Sequence, residues 1–242
     1  MEPQPAGMGE FSRITGVFFE PKKTFADVAA RPKWFVPLLL VVLASLAYTI
    51  ALSQHIGWGT LLRHQFETNQ QMAQMPPEQR EQAVAMGTKI ASALAYVGPI
   101  VGVPIYYLIV AGLLTGIAAG IMSAGVKFKQ VFAIVSYAGL PGVIFSALAL
   151  AVVFLKNPED FNMENPLAFN PAAFMNPESS SKFAYALASS FDLFALWTIL
   201  LMATGLKAAA GKKLSFVGAL FAVVLPWAIF TLIKAGLAGL RG

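Results

Sequence analysis

Cysteine is absent from this chain of 242 residues, and histidine occurs only at His55 and His64. The lack of cysteine excludes disulfide bonds, thiolate nucleophiles and cysteine-ligated metals. The two histidines lie in one loop with few acids nearby, so they do not form a metal-binding set. No phosphate-binding loop, dinucleotide fingerprint, HExxH or GxSxG motif occurs, and the serine clusters at 179–181 and 189–190 have no neighbouring base. We therefore expect a protein that is not an enzyme and carries neither a metal nor another cofactor.

Charged residues are also scarce. They make up 12% of the chain, whereas 57% is hydrophobic, and the net charge is +5. This is the composition of a polytopic membrane protein, for which the lipid bilayer is the predicted partner. The basic residues flank apolar segments, where they set topology, so we expect no nucleic-acid partner. The first apolar run begins only at Trp34, so we expect an uncleaved first span rather than a cleavable signal peptide.

Five apolar segments are long enough to cross a membrane as helices. They cover residues 34–52, 99–123, 131–155, 183–206 and 214–233. The predicted fold class is therefore all-α: a polytopic membrane protein with a five-transmembrane-helix bundle and an N-terminal amphipathic helix. Residues 1–10 are polar and rich in proline and glycine, which predicts a disordered tail. Residues 11–33 then form a cytoplasmic amphipathic arm, and residues 34–240 form the membrane domain.

The arm at residues 11–33 combines aromatic and basic side chains. Its apolar residues recur at helical spacing until Glu20–Pro21 breaks the pattern, and a second short helix ends before Pro32. Its basic residues are Arg13, Lys22, Lys23, Arg31 and Lys33. This pattern favours a segment lying on an anionic membrane surface, where each basic side chain contributes roughly 1 kcal/mol. The alternative is a solvated linker before the first span.

A glycine stripe marks the second span. Gly112, Gly116 and Gly120 recur every four residues, and no charged residue occurs between Lys89 and Lys127. Glycines at this spacing allow two helix backbones to approach closely within lipid. The stripe predicts a helix–helix seam, either within the chain or with another membrane protein or a second copy. The alternative is that glycine is simply common in membrane helices.

Asp192 is the one acid that the predicted spans could place inside the membrane. A carboxylate there is costly, so an intramembrane Asp192 would be a candidate functional residue. Alternatively, the fourth span begins at Leu193, and Asp192 lies at the surface near a helix N-terminus. The first case supports a small transporter or permease component that uses Asp192 and proline-kinked spans. No small-molecule substrate follows from the sequence.

The distribution of lysine and arginine predicts the orientation. Short basic segments precede the first span and connect the second to the third and the fourth to the fifth. The other connections are longer, and they mix basic residues with acidic ones. Basic connections stay on the cytoplasmic side, which predicts a cytoplasmic N-terminus and a C-terminus outside.

Two motifs resemble those of the Yip family, multi-pass proteins named for eukaryotic members that interact with Rab-type GTPases. The first precedes span one and consists of Phe19, Pro21, Thr24 and Phe25. The second runs from a loop into span three and consists of Gly125, Phe128, Tyr137, Leu140 and Pro141. The resemblance covers residues 11 to 240. The short arm is more similar to bacterial members, which implies the bacterial inner membrane.

The resemblance implies a non-enzymatic scaffold or adaptor that binds membrane partners or organises lipid. It also implies a cytoplasmic N-terminus, which agrees with the distribution of charge. The second motif has a physical meaning as well, because Pro141 removes a backbone donor and frees a carbonyl near Tyr137. The segment could be a packing kink, or it could be a small polar site in the membrane.

Overall fold

The computed structural model describes residues 7–68, 74–158, 161–163, 165–176 and 179–240, with backbone only at 64–68. Within these ranges every regular element is helical. Five helical segments there are long and apolar enough to cross a membrane: Phe35–Ile56, Gly98–Ile121, Phe128–Leu155, Leu193–Lys213 and Phe216–Leu240. The predicted all-α, five-span membrane fold is thus confirmed.

The α-helices are numbered here in chain order. They are α1 (Glu10–Phe19), α2 (Pro21–Ala30), α3 (Phe35–Ala51), α4 (Trp58–Thr68), α5 (Pro77–Leu94), α6 (Val103–Thr115), α7 (Phe128–Ala138), α8 (Pro141–Leu155), α9 (Lys182–Ser190), α10 (Leu193–Ala210) and α11 (Phe216–Leu240). Short π-helical turns at Leu52–Ile56, Gly98–Gly102 and Gly116–Ile121 extend α3 and flank α6. Short 3-10 turns cover Pro171–Phe174 and Gly211–Lys213.

The fourth span differs from its predicted bounds of 183–206. The helix breaks after Ser190, and α10 restarts at Leu193 and continues to Ala210. The break follows from Asp192, whose side chain accepts hydrogen bonds from backbone N–H groups at the start of α10. Ser189, Ser190 and Asp192 interrupt the apolar run at this point, which agrees with the alternative start of the span at Leu193.

The predicted tail at residues 1–10 also differs at its end. Residues 1–6 lie outside the described ranges, but Glu10 begins α1. The Met8 backbone N–H donates a hydrogen bond to the Asp27 carboxylate at 3.3 Å. The ordered part of the arm therefore begins before residue 11, because the Asp27 side chain in α2 holds the backbone at Met8.

The chain divides into two compact units, and each span contributes residues to both. The first unit comprises residues 7–41, 103–143 and 196–228 of the described chain. At its centre lies α7, in which residues 131–138 are all buried, as are Leu140 and Pro141 that follow. Helices α1, α2 and α6 all pack against α7. A helix buried on every side must be apolar all round, and the sequence of α7 largely is.

The second unit comprises residues 42–102, 144–195 and 229–240 of the described chain. Helix α4 packs on α5, and α9 packs on the turn Pro171–Phe174. Its apolar core contains Ala51, Leu52, Ile56, Leu61, Val153 and Phe161. These residues hold the end of the first span, α4 and the end of α8 together through burial of apolar surface.

Candidate functional site: the N-terminal hairpin

Helices α1 and α2 form a tight hairpin, and a single residue connects them. Glu20 has φ −131° and ψ 56°, outside the helical region, because the following Pro21 disfavours a helical conformation before it. Pro21 then occupies the first position of α2, where its missing N–H is not needed. The Glu20 N–H donates to the Gly16 carbonyl at 2.8 Å, and the Thr24 N–H donates to the Glu20 carbonyl at 3.0 Å. The motif proline thus makes the turn.

Gly16 allows the two helices of the hairpin to approach closely. A Cβ at this position would overlap the hydroxyl of Thr24 and lie 3.3 Å from Met8 Cε. Thr24 is fully buried at this contact. The motif threonine therefore contributes to packing between α1 and α2, where a larger residue at either position would push the helices apart.

A buried ion pair joins the two helices. Arg13 is 1% exposed, and its Nε and Nη2 lie 2.7 and 2.6 Å from Asp27 Oδ2. The other oxygen of Asp27 accepts hydrogen bonds from the Met8 N–H and from Arg31 Nη2. Burial alone would raise the pKa of Asp27, but these hydrogen bonds outweigh it and leave the pKa below its ordinary value. For Arg13, burial alone would lower the pKa. Hydrogen bonds to Tyr137 and Asp27 outweigh burial and leave the pKa above its ordinary value, so Arg13 is charged.

This finding corrects the predicted role of Arg13. The sequence pattern assigned all five basic residues of the arm to a membrane surface, whereas Arg13 points into the protein. The exposed basic residues of the arm are Lys22, Lys23, Arg31 and Lys33. Three of these also form ion pairs with acids of the hairpin: Lys23 with Glu20 at 2.9 Å, Lys33 with Glu10 at 3.6 Å, and Arg31 with Asp27.

Tyr137 connects the hairpin to the centre of the first unit. Its hydroxyl donates a hydrogen bond to Glu10 Oε2 at 2.6 Å, and the tyrosine itself is fully buried in α7. The other oxygen of Glu10 lies 3.8 Å from Arg13 Nη1. A chain of polar contacts therefore runs from α7 through Glu10 and Arg13 to Asp27. We call these four residues the polar network.

Two further contacts hold α2 against the spans. The side chain of Gln130 donates to the Ala29 carbonyl at 2.9 Å while its Oε1 accepts from the Lys127 N–H at 3.0 Å. Phe25 is fully buried, and a Cβ at Gly205 of α10 would come within 2.8 Å of its ring. Since hydrogen bonds and apolar burial act at the same face, the hairpin is docked on the spans rather than lying free beside them.

The remaining motif residues lie along or next to α7. Gly125 has φ +69°, a conformation that favours glycine, in the loop before α7. Phe128 begins α7, is 44% exposed, and stacks on Phe132 with ring centroids 6.0 Å apart. Phe19, by contrast, is 84% exposed at the end of α1. The first motif thus divides into a buried half, Thr24 and Phe25, and an outward Phe19.

The segment that joins α7 to α8 is a kink. Pro141 begins α8, and the Tyr137 carbonyl, predicted to be freed by it, accepts the Leu140 N–H at 3.2 Å. A Cβ at Gly139 would overlap the hydroxyl of Tyr107 and lie 2.7 Å from its Cζ. These contacts agree with the packing interpretation of the motif, because its backbone groups are satisfied within the turn.

The glycine stripe makes no contact of its own within the first unit. No atom of the described residues lies within 4 Å of the position that a Cβ would take at Gly112, Gly116 or Gly120. The predicted seam is therefore not found within this unit, and contact with another molecule stays a prediction.

Asp192 lies at the start of α10. Its Oδ1 accepts hydrogen bonds from the N–H groups of Phe194 at 2.9 Å and Ala195 at 3.4 Å. The geometry matches the alternative in which the span begins at Leu193, with the carboxylate as its cap. The rings of His55 and Phe154 are in tilted contact, with centroids 5.0 Å apart, and the side chain of His64 lies outside the described residues. In the part of the chain that the structure describes, no group of three histidines, cysteines or acids is placed to hold a metal ion.

We expect the hairpin to open in acid because of Asp27. Its pKa is lower in the folded protein than in the unfolded one, so its stabilising contribution is complete above the unfolded value of about 3.9. This contribution is lost as the pH falls through the folded value. We expect the protection factors of the amides of residues 10–30, which correct for the intrinsic pH dependence of exchange, to fall below about pH 4 in detergent micelles.

Two variants make this expectation specific. In Asp27→Asn, the amides of the hairpin should be less protected at neutral pH than in the parent. Most of the acid-induced change should be absent from this variant. Glu20→Gln, in the exposed pair with Lys23, should leave the acid-induced change intact. An unchanged acid response in Asp27→Asn would assign the effect to Glu10 or to another group.

Comparison with known proteins places the chain in a family. A family model described as the Yip1 domain matches residues 15–237. No curated protein and no solved structure matches the chain. The matched range contains both sequence motifs and the turn at Pro21, whereas Glu10 and Arg13 of the polar network precede it. The predicted resemblance is confirmed, and the chain is a multi-pass integral membrane protein that belongs to the Yip1 domain family.

Proposed function

We propose that this protein is a non-enzymatic membrane scaffold or adaptor that presents the outer face of its N-terminal hairpin to partner proteins in the membrane. The observation that carries the proposal is the docking of the hairpin. One side of α1 and α2 is held by the polar network, Thr24 and Phe25, which leaves the opposite side outward. We further propose that the hairpin faces the cytoplasm and that the bacterial inner membrane is its location.

The outer face combines large apolar groups with positive charge. Phe11 and Phe19 are 78% and 84% exposed near the two ends of α1, and the exposed Lys22 and Lys23 follow Phe19 across the turn at Pro21. An outward aromatic side chain beside a lysine suits a partner surface that offers an apolar pocket rimmed by acids. Because the hairpin is already docked, a partner would not need to order it on binding, and this lowers the entropic cost of association.

The alternative function, a small transporter, receives no support from the contacts of Asp192. Its carboxylate caps α10, and such caps are common structural features of helices. A scaffold requires only a stable presenting surface, which the docked hairpin supplies. We therefore favour the scaffold.

Site-specific photo-crosslinking in native membranes tests this function. A photoreactive amino acid at Phe19 should capture the same one or two membrane proteins in repeated experiments. The matched control is a probe at Phe25 on the same hairpin, which is fully buried and should crosslink only within the chain. Replacing Lys22 and Lys23 with glutamate should reduce the capture from Phe19 by tenfold or more, on the order expected for two reversed rim charges.

The experiment has outcomes that would overturn the proposal. Capture of lipid alone from Phe19 would argue that the outer face organises lipid rather than binding proteins. Identical products from Phe19 and Phe25 would show that the hairpin does not present a distinct outer face.

A further inference from the structure

Two short loops of the first unit lie against each other. One connects Ile121 to α7, and the other connects α10 to α11 through Gly211–Lys213. A Cβ at Gly125 in the first loop would lie 3.0 Å from Lys213 Nζ and 3.8 Å from Lys213 Cδ in the second. The Lys213 side chain thus lies directly beside the backbone of the other loop, two residues before Lys127. We call the two loops together the paired loops.

The paired loops and the first turn of α7 carry only positive charge. Their charged residues are Lys127, Lys129, Lys212 and Lys213, and all four are exposed. No acidic residue occurs between 122 and 130 or between 211 and 217. Like charges on two loops in contact repel one another, so an anion bound between the loops would be stabilised by several lysines rather than by one ion pair.

The acids of this unit are engaged elsewhere. Among its described residues, only Glu10, Glu20 and Asp27 are acidic. Each forms an ion pair with a basic residue of the N-terminal arm: Glu10 with Lys33, Glu20 with Lys23, and Asp27 with Arg13. Within the described part of the chain, no carboxylate therefore forms an ion pair with a lysine of the paired loops. These lysines are therefore available to an anion that binds from outside the described residues.

Apolar residues begin immediately beside these lysines. Phe128 follows Lys127 and is 44% exposed, and Phe216 and Val217 begin α11 with exposures of 42% and 74%. These residues start two membrane spans, so the lysines lie where an apolar span meets a polar loop. In a bilayer this is the depth of the phosphate groups of lipids. A ligand that fits must present a negative charge and a hydrocarbon chain next to each other.

We propose that the paired loops bind the headgroup of an anionic phospholipid. The lipid phosphate would lie between Lys127 and Lys213, and its acyl chains would follow Phe128 and Phe216 along the spans. This proposal does not use the outer face of the hairpin, so it stands or falls separately from the proposed scaffold function.

Native mass spectrometry of the full chain in detergent, titrated with phosphatidylglycerol, tests the proposal. The variant is Lys127→Gln combined with Lys213→Gln, which keeps side-chain size and removes two charges. At roughly fivefold for each lysine near a membrane surface, we expect the Kd for phosphatidylglycerol to rise about 30-fold. The matched control, Lys89→Gln combined with Lys156→Gln, removes two exposed lysines that lie outside the first unit and should leave the Kd unchanged.

Further comparisons identify the ligand class and guard against misfolding. Phosphatidylcholine should bind the parent protein more weakly than phosphatidylglycerol, and glycerol 3-phosphate should not bind measurably. If the glutamine variant melts below the parent without lipid, Lys127→Arg combined with Lys213→Arg replaces it and should retain parental affinity. Equal affinity of the parent and the glutamine variant, or equal binding of both lipids, would overturn the proposal. Lysine-dependent binding of glycerol 3-phosphate would instead indicate a site for a soluble phosphate.

Discussion

Replacing Asp27 with alanine is expected to destabilise the docked hairpin by about 3–5 kcal/mol, because Arg13 stays charged inside the protein and loses its closest counter-charge. Arg13 is 1% exposed, so water cannot replace the lost carboxylate. The measurement is amide hydrogen exchange of residues 10–30 in detergent micelles at neutral pH. Protection factors there should fall by at least about 100-fold, while the amides of α8 in the second unit should change little.

A double substitution separates this effect from a general loss of packing. Arg13→Met combined with Asp27→Leu should cost less than Asp27→Ala alone, since an apolar pair of similar volume leaves no unpaired charge. Lys23→Ala removes the exposed pair with Glu20 and should leave protection at the parental level, because both side chains are largely in water. Parental protection in Asp27→Ala would refute the role assigned to the ion pair.

Replacing Gly205 with alanine is expected to cost about 1–3 kcal/mol of stability, because the added methyl group has no space. It would overlap Ile134 Cγ2 and lie 2.8 Å from Phe25 Cδ1. Both neighbours are buried, so neither can move aside without disturbing the contact between α7, α10 and the hairpin. The readouts are the melting temperature of the purified protein and the exchange of amides in α2, both of which should report destabilisation.

The matched control is Gly142→Ala, another glycine of the same unit. Nothing lies within 4 Å of the position that its Cβ would take, so this change should be neutral or slightly stabilising through helix propensity. Ile134→Ala should cost less stability in the Gly205→Ala protein than in the parent, since there it also removes the overlapping atoms. Equal melting temperatures for Gly205→Ala and Gly142→Ala would show that α10 does not approach α7 as closely as described.

The five spans could be predicted because their signal is local. An apolar run of about 20 residues identifies a membrane helix whatever it later contacts. The break at Asp192 could be predicted only as one of two alternatives, because apolar residues lie on both sides of it. Only the hydrogen bonds of its carboxylate distinguish a helix start from a helix interior.

The polar network could not be predicted, because its signal is not local. Glu10 and Tyr137 are 127 residues apart, and Gln130 and Ala29 are 101 apart. A basic residue between aromatic neighbours has the same local pattern whether it faces lipid or a buried carboxylate, which is why Arg13 was assigned to the wrong surface. The two family motifs are more informative. The structure brings Tyr137 of the second into the network that joins the helices on which Thr24 and Phe25 of the first lie.

The distance in sequence between the hairpin and its docking surface determines when during synthesis the hairpin can reach its place. The hairpin leaves the ribosome before the five spans, and Gly205 of α10 is made about 175 residues after Ala30. At bacterial to eukaryotic rates of 5–20 residues per second, this corresponds to a delay of roughly 10–40 s. Throughout that time Phe25 lacks the contact with α10 that it has in the folded protein. The nascent chain therefore cannot complete the docking of the hairpin until its fourth span has been made, so the end of docking is among the last steps of folding.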